Sequence, residues 1–184
     1  MKRLAGAAAI WIILALPYNR SLLEAKLVTH QFLQLGGLAL AGYLLGSVLR
    51  QRCDSIVEPY NYRGVPGLLL TVFALLIWLL PRSLDASLLD SGWEIAKFVT
   101  VPLLIGLPLA FSWPHVTVIG RGFVMANFAA MLVTMGVLYR VAPQRLCTNY
   151  LIEAQQSFGA YAMAAGVSLA IGCVYYVLAV SRAD

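Results

Sequence analysis

Apolar residues in this chain do not alternate with polar ones. They gather into long runs separated by short polar stretches, and the runs predict helices over residues 4–17, 30–49, 65–81, 95–113, 121–140 and 154–180. A bilayer core about 30 Å thick takes roughly 20 helical residues, so each run spans or nearly spans it, with flanking residues completing the shorter ones. In hydrocarbon every backbone N–H and C=O must be paired internally, which leaves helices or a closed barrel. Continuous runs rich in Leu, Ala and Gly lack the period of two that barrel strands need. The expected fold is an all-α integral membrane bundle of about six transmembrane helices.

The polar connections, such as 50–64 and 81–93, are too short to fold separately, so residues 1–184 are expected to form a single transmembrane domain. The first run follows Met1-Lys2-Arg3 and stops at Pro17, the anatomy of a signal peptide or of a short first helix. The weak small-x-small cleavage pattern favours a retained anchor. Pro102 and Pro108 inside the fourth run should bend it and free carbonyls that a neighbour must cover. Gly42 and Gly46, and Ala162, Gly166 and Ala170, recur four residues apart and predict close helix contacts.

Composition sharpens this picture. The chain is 61% hydrophobic and 11% charged, against roughly a quarter charged in soluble domains. Its formal charge of +5 is scattered in ones and twos at the ends of apolar runs, which reads as membrane anchoring and excludes a nucleic-acid surface. Lys97 is one such anchor in this reading, and no Asp, Glu, Lys or Arg is expected at a helix centre, which argues against proton pumps and ion-coupled carriers. The Met-Lys-Arg start and the Arg50-Gln51-Arg52-Cys53 turn place both termini on the cytoplasmic side. Cys53, Cys147 and Cys173 have no metal-type or redox-type spacing.

No hydrolase, zincin or phosphate-loop motif is present, so the chain is not expected to be an enzyme. Candidate chemistry lies at helix ends. Helix direction alternates, so His30, Met135, Cys147, Gln155 and Gln156 should share one membrane face and His115 the other, which rules out a haem between the two histidines. His30 with Gln34, and Met131 with Met135, are spaced i, i+4 and lie on common faces. Imidazole, thioether and thiol groups suit copper, the sulfur ligands favouring Cu(I). The alternative is an interfacial His30 bonded to a backbone carbonyl, with Met131 and Met135 simply packing. Thr71, Asn127, Thr134 and Ser168 are expected to make interhelical hydrogen bonds.

Thr29-His30-Gln31-Phe32-Leu33-Gln34 at the head of a Leu-rich helix, Ala154-Gln155-Gln156-Ser157-Phe158-Gly159 at the head of the last one, and Trp113-Pro114 closing a middle helix together resemble the CtaG family. Those membrane proteins are associated with cytochrome c oxidase assembly and copper delivery. Gln34 stands where the family's second histidine is expected, Ala154 replaces an acidic residue, and no His-x-x-Glu-His element occurs in the fourth run. The resemblance implies a bacterial inner-membrane protein of respiratory oxidase biogenesis. It would bind copper through His30, Met131, Met135 and Cys147. The competing reading is a non-catalytic accessory subunit of a respiratory or other membrane complex, meeting its partners through Gln34, Gly42, Gly46, Gln155, Gln156, Gly159 and Gly166.

Overall fold

The structure, a computed structural model, describes residues 2–181; Met1 and residues 182–184, among them Arg182, lie outside it. The described residues form helices and turns with no strand. Among the described residues five helices are long and apolar enough to cross a membrane, or six if one bent pair counts as a span. The helices expose large side chains to their surroundings, Phe73 at 62%, Phe123 at 69% and Ile171 at 67%. Such a surface suits hydrocarbon and not water. The protein is an all-α membrane bundle, as its hydropathy predicts. Two compact units divide the chain, Met1–His115 and Val116–Asp184.

The first unit opens with α1 (Lys2–Ala15) and α2 (Pro17–Glu24), bent by 70°. Pro17 cannot continue a helix and pushes Leu16 into an extended conformation (φ −58°, ψ 130°), so the run expected to end at Pro17 breaks there and a new helix starts. A π-helical turn, Thr29–Leu35, leads into α3 (Gly36–Val57). The span Thr29–Tyr60 is 32 residues long, roughly 48 Å at 1.5 Å per residue. It outruns the expected end at residue 49 because Arg50, Gln51 and Arg52 are good helix formers whose charges end a hydrophobic run without ending a helix. The reversal that follows uses left-handed backbone at Arg63 (φ 53°) and Gly64 (φ 73°).

Helix α4 is Val65–Leu79. The expected polar connection after it contains a further helix, α5 (Pro81–Leu89), started by Pro81. Asp90 then caps α6 (Ser91–Thr100), accepting from the Trp93 N–H at 3.0 Å. A second π-helical turn, Val101–Gly106, carries Pro102 and leads to α7 (Leu107–Ser112). Gly42 and Gly106 let α3 and this turn meet backbone to backbone: a Cβ on Gly42 would overlap the Pro102 carbonyl, and one on Gly106 the Ala39 carbonyl. Gly46 likewise faces Ala110 and Leu107. Trp78 of α4 donates its indole N–H to Thr100 at 2.9 Å. Thr71 lies 3.3 Å from the Ile105 carbonyl, an interhelical contact of the kind expected.

The second unit is a helical hairpin of α8 (Val118–Val141) and α9 (Ile152–Ser181). Thr117 caps α8, accepting from Gly120 at 3.2 Å. Gly136 sits against Met163 and the Gly159 carbonyl, and Gly166 against Val133 and the Ala129 carbonyl, so small residues on both helices set the contact. Ala162 is buried in the same seam while Ala170 is exposed. Asn127 bonds the Phe123 carbonyl of its own helix at 2.8 Å, and Thr134 and Ser168 are exposed, so these three do not make the cross-helix bonds expected of them.

Candidate functional site

In the first unit three side chains close around the ammonium group of a fourth, Lys97. Glu24 is the last residue of α2, His30 and Gln34 lie on the Thr29–Leu35 turn, and Lys97 is on α6. Lys97 is 0% exposed. Its Nζ donates to Glu24 Oε1 at 2.7 Å and Gln34 Oε1 at 3.0 Å, and lies 3.2 Å from His30 Nε2. A lysine ammonium has three donors and no acceptor, so the three neighbours saturate it. With the ammonium donating, Nε2 is the accepting nitrogen of the imidazole. Gln34 turns its own amide N–H to Glu24 Oε1 at 3.1 Å, locking carboxylate and amide together.

The cluster continues outward as alternating charge. Arg20 pairs with Glu94 and lies 3.7 Å from Glu24 Oε2. Side-chain exposure falls from 39% at Arg20 to 13% at Glu24 and 0% at Lys97, so one edge is accessible and the ammonium is sealed in. An isolated ammonium in a low-dielectric interior carries a desolvation cost of several kcal/mol, and only a complete shell of this kind offsets it. Lys97, expected to be an anchor at the end of an apolar run, is instead sealed inside the first unit. The cause is the start of α6: capped at Asp90, it begins before residue 95 and carries Lys97 into its second turn. The Asp90-Ser91-Gly92-Trp93-Glu94 stretch, a capping residue followed by an acidic first turn, was the signal that could have revealed this.

The other sequence candidates have their own surroundings within each unit. Gly42 and Gly46 are packing residues of α3. Met131, Met135 and Cys147 belong to the second unit, His30 to the first. Both methionines are half-buried on α8. Cys147 is buried with its Sγ 3.4 Å from the Tyr139 hydroxyl, beside the Tyr139–Phe158 edge-to-face pair. Gln155 is buried and holds the 142–151 connection: its Oε1 accepts from the N–H groups of Leu146 and Cys147 at 2.8 and 3.3 Å, and its Nε2 donates to the carbonyls of Cys147 and Tyr150, each at 2.9 Å. Gln156 is exposed, while Gly159 and Gly166 form the α8–α9 seam. His115 lies 3.4 Å from Asp54. It stands at the far end of the Ser91–His115 span from Lys97 and so from His30, roughly 27 Å away at 1.5 Å per residue.

Among the described residues there is no group of three or more His, Cys, Asp or Glu side chains that could hold a metal ion. His30 Nε2 faces the Lys97 ammonium, and the other groups on that ammonium are the Glu24 carboxylate oxygen and the Gln34 amide oxygen, which are hard donors. No protein-family model matches the chain, nor does any curated protein or solved structure.

Proposed function

We propose that this chain is a non-catalytic membrane protein that acts by binding other membrane-protein subunits during respiratory oxidase biogenesis, without copper at His30. The observation that carries this reading is the Lys97 ammonium held by His30 and Gln34. His30 belongs to the stretch that resembles the CtaG family and Gln34 stands where that family's second histidine is expected, and the two meet in a single buried cluster. The group they hold is an internal lysine. A scaffold of that kind, with its metal-facing position given to an ion pair, keeps the capacity to dock subunits and loses the capacity to deliver copper. The glycine contacts of α3 and of the α8–α9 hairpin are made within the chain and stiffen each unit, so docking would fall to exposed apolar side chains such as Phe73 and Phe123. The proposed setting is the bacterial inner membrane, with both termini cytoplasmic.

Purification of the full chain in mild detergent, with identification of co-purifying subunits and metal analysis, tests the proposal. Oxidase subunits should accompany the chain, with copper far below one equivalent. A solitary chain would overturn the partner-binding reading. Copper near one equivalent, lost on His30→Ala, would restore the copper-handling reading in its place.

A further inference from the structure

The acceptors around Lys97 Nζ are a carboxylate oxygen, an amide oxygen and an imidazole nitrogen, at 2.7, 3.0 and 3.2 Å. That is the donor set of a divalent first-row cation site, with a lysine where the ion would stand. We propose that Glu24, His30 and Gln34 form a divalent-cation site whose native occupant is the ammonium of Lys97, so that this lysine is the residue that keeps metal out of the protein. The inference deepens the copper-free reading of His30 and rests on it.

Charge, donors and geometry support the assignment. Glu24 is nearly buried and needs a cation beside it, and the Arg20 guanidinium, already paired to Glu94, lies 3.7 Å from its other oxygen. All three neighbours present lone pairs to one point. Zn–O and Zn–N bonds are about 2.0–2.2 Å, so an ion at the Nζ position needs the ligands to close by roughly 0.5–1.2 Å. Glu24 ends its helix and is the member best placed to move inward. Two oxygens and one imidazole nitrogen favour Zn2+ or Co2+ over the soft Cu(I) ion. The excluded metal is thus a borderline-to-hard divalent ion.

The test uses the full chain in mild detergent with Co2+ as a spectroscopic probe and Zn2+ as competitor. Wild-type protein should show no His30-dependent Co2+ absorption. Lys97→Met should bind one equivalent at least about 100-fold more tightly, be displaced by Zn2+, prefer both ions to Cu(I), and lose the site when His30→Ala is added. Lys97→Ala, which leaves more room, should behave alike. A variant that folds only when Zn2+ or Co2+ is supplied also supports the proposal, since the ion then replaces the missing charge. His30-dependent metal binding by the wild type would overturn it. So would Lys97 variants that fold and bind no metal, or that fold neither with metal nor without. Failure here leaves the co-purification result untouched, and loss of co-purifying subunits leaves this result untouched, so the two proposals fail separately.

Discussion

Trp11 donates its indole N–H to the carbonyl of Phe98 at 2.9 Å, and the two rings meet edge to face with centroids 6.2 Å apart. Phe98 lies four residues before Pro102, which has no N–H to return to that carbonyl in an α-helical ladder. A side chain 87 positions away thus covers the group that the proline leaves. Trp11→Phe keeps an aromatic ring and removes the donor. It should destabilise the first unit by about 1–3 kcal/mol, read as a lower midpoint in SDS-induced loss of helicity. An unchanged midpoint would show that the carbonyl finds another donor.

The Lys97–Glu24 pair should behave as a unit. Lys97→Met leaves a nearly buried carboxylate behind, and Glu24→Gln leaves a sealed ammonium, so each alone should cost roughly 3–5 kcal/mol. The double variant removes both charges and should cost clearly less than the sum. A double-mutant cycle on unfolding midpoints measures the coupling, and strict additivity would contradict the buried pair.

Glycine positions separate into two sorts. Gly42→Ala and Gly106→Ala drive a methyl into a facing backbone carbonyl, so the folded yield should collapse, whereas a Cβ at Gly36 or Gly172 meets nothing within 4 Å. Gly36→Ala and Gly172→Ala should be neutral or stabilising by up to about 1 kcal/mol. Size-exclusion profiles of the four variants check this contrast.

Gln155→Ala removes four hydrogen bonds that hold residues 142–151. Buried Cys147 should then react with a maleimide at least about ten times faster, consistent with losing bonds worth 1–3 kcal/mol. Gln156→Ala, on the exposed neighbour, should leave that rate unchanged. Equal rates in both variants would mean that the connection is held by other contacts.

Much of the fold was legible along the chain. Long apolar runs mark spans because lipid offers the backbone no hydrogen bonds, so hydropathy alone locates helices. Pro17 marked the first break, and Gly42, Gly46 and Gly166 were recognisable as contact residues by their spacing. Helix ends were less legible. Arg50 to Arg52 end the greasy run while α3 continues to Val57, and α5 lies in what reads as a polar connection. Amphipathic and charged helices carry no hydropathy peak.

The sequence by itself determined the solvent, the helical class and the approximate spans, because each is a local property of runs of side chains. Tertiary structure decided where the charges go. Nothing near Lys97 in sequence foretells Glu24, His30 and Gln34, which lie 73, 67 and 63 positions away. Nor does spacing reveal which of Gln155 and Gln156 turns inward. A buried charge is tolerable only when its whole shell is complete, and that shell exists only once α2, the Thr29–Leu35 turn and α6 have packed together.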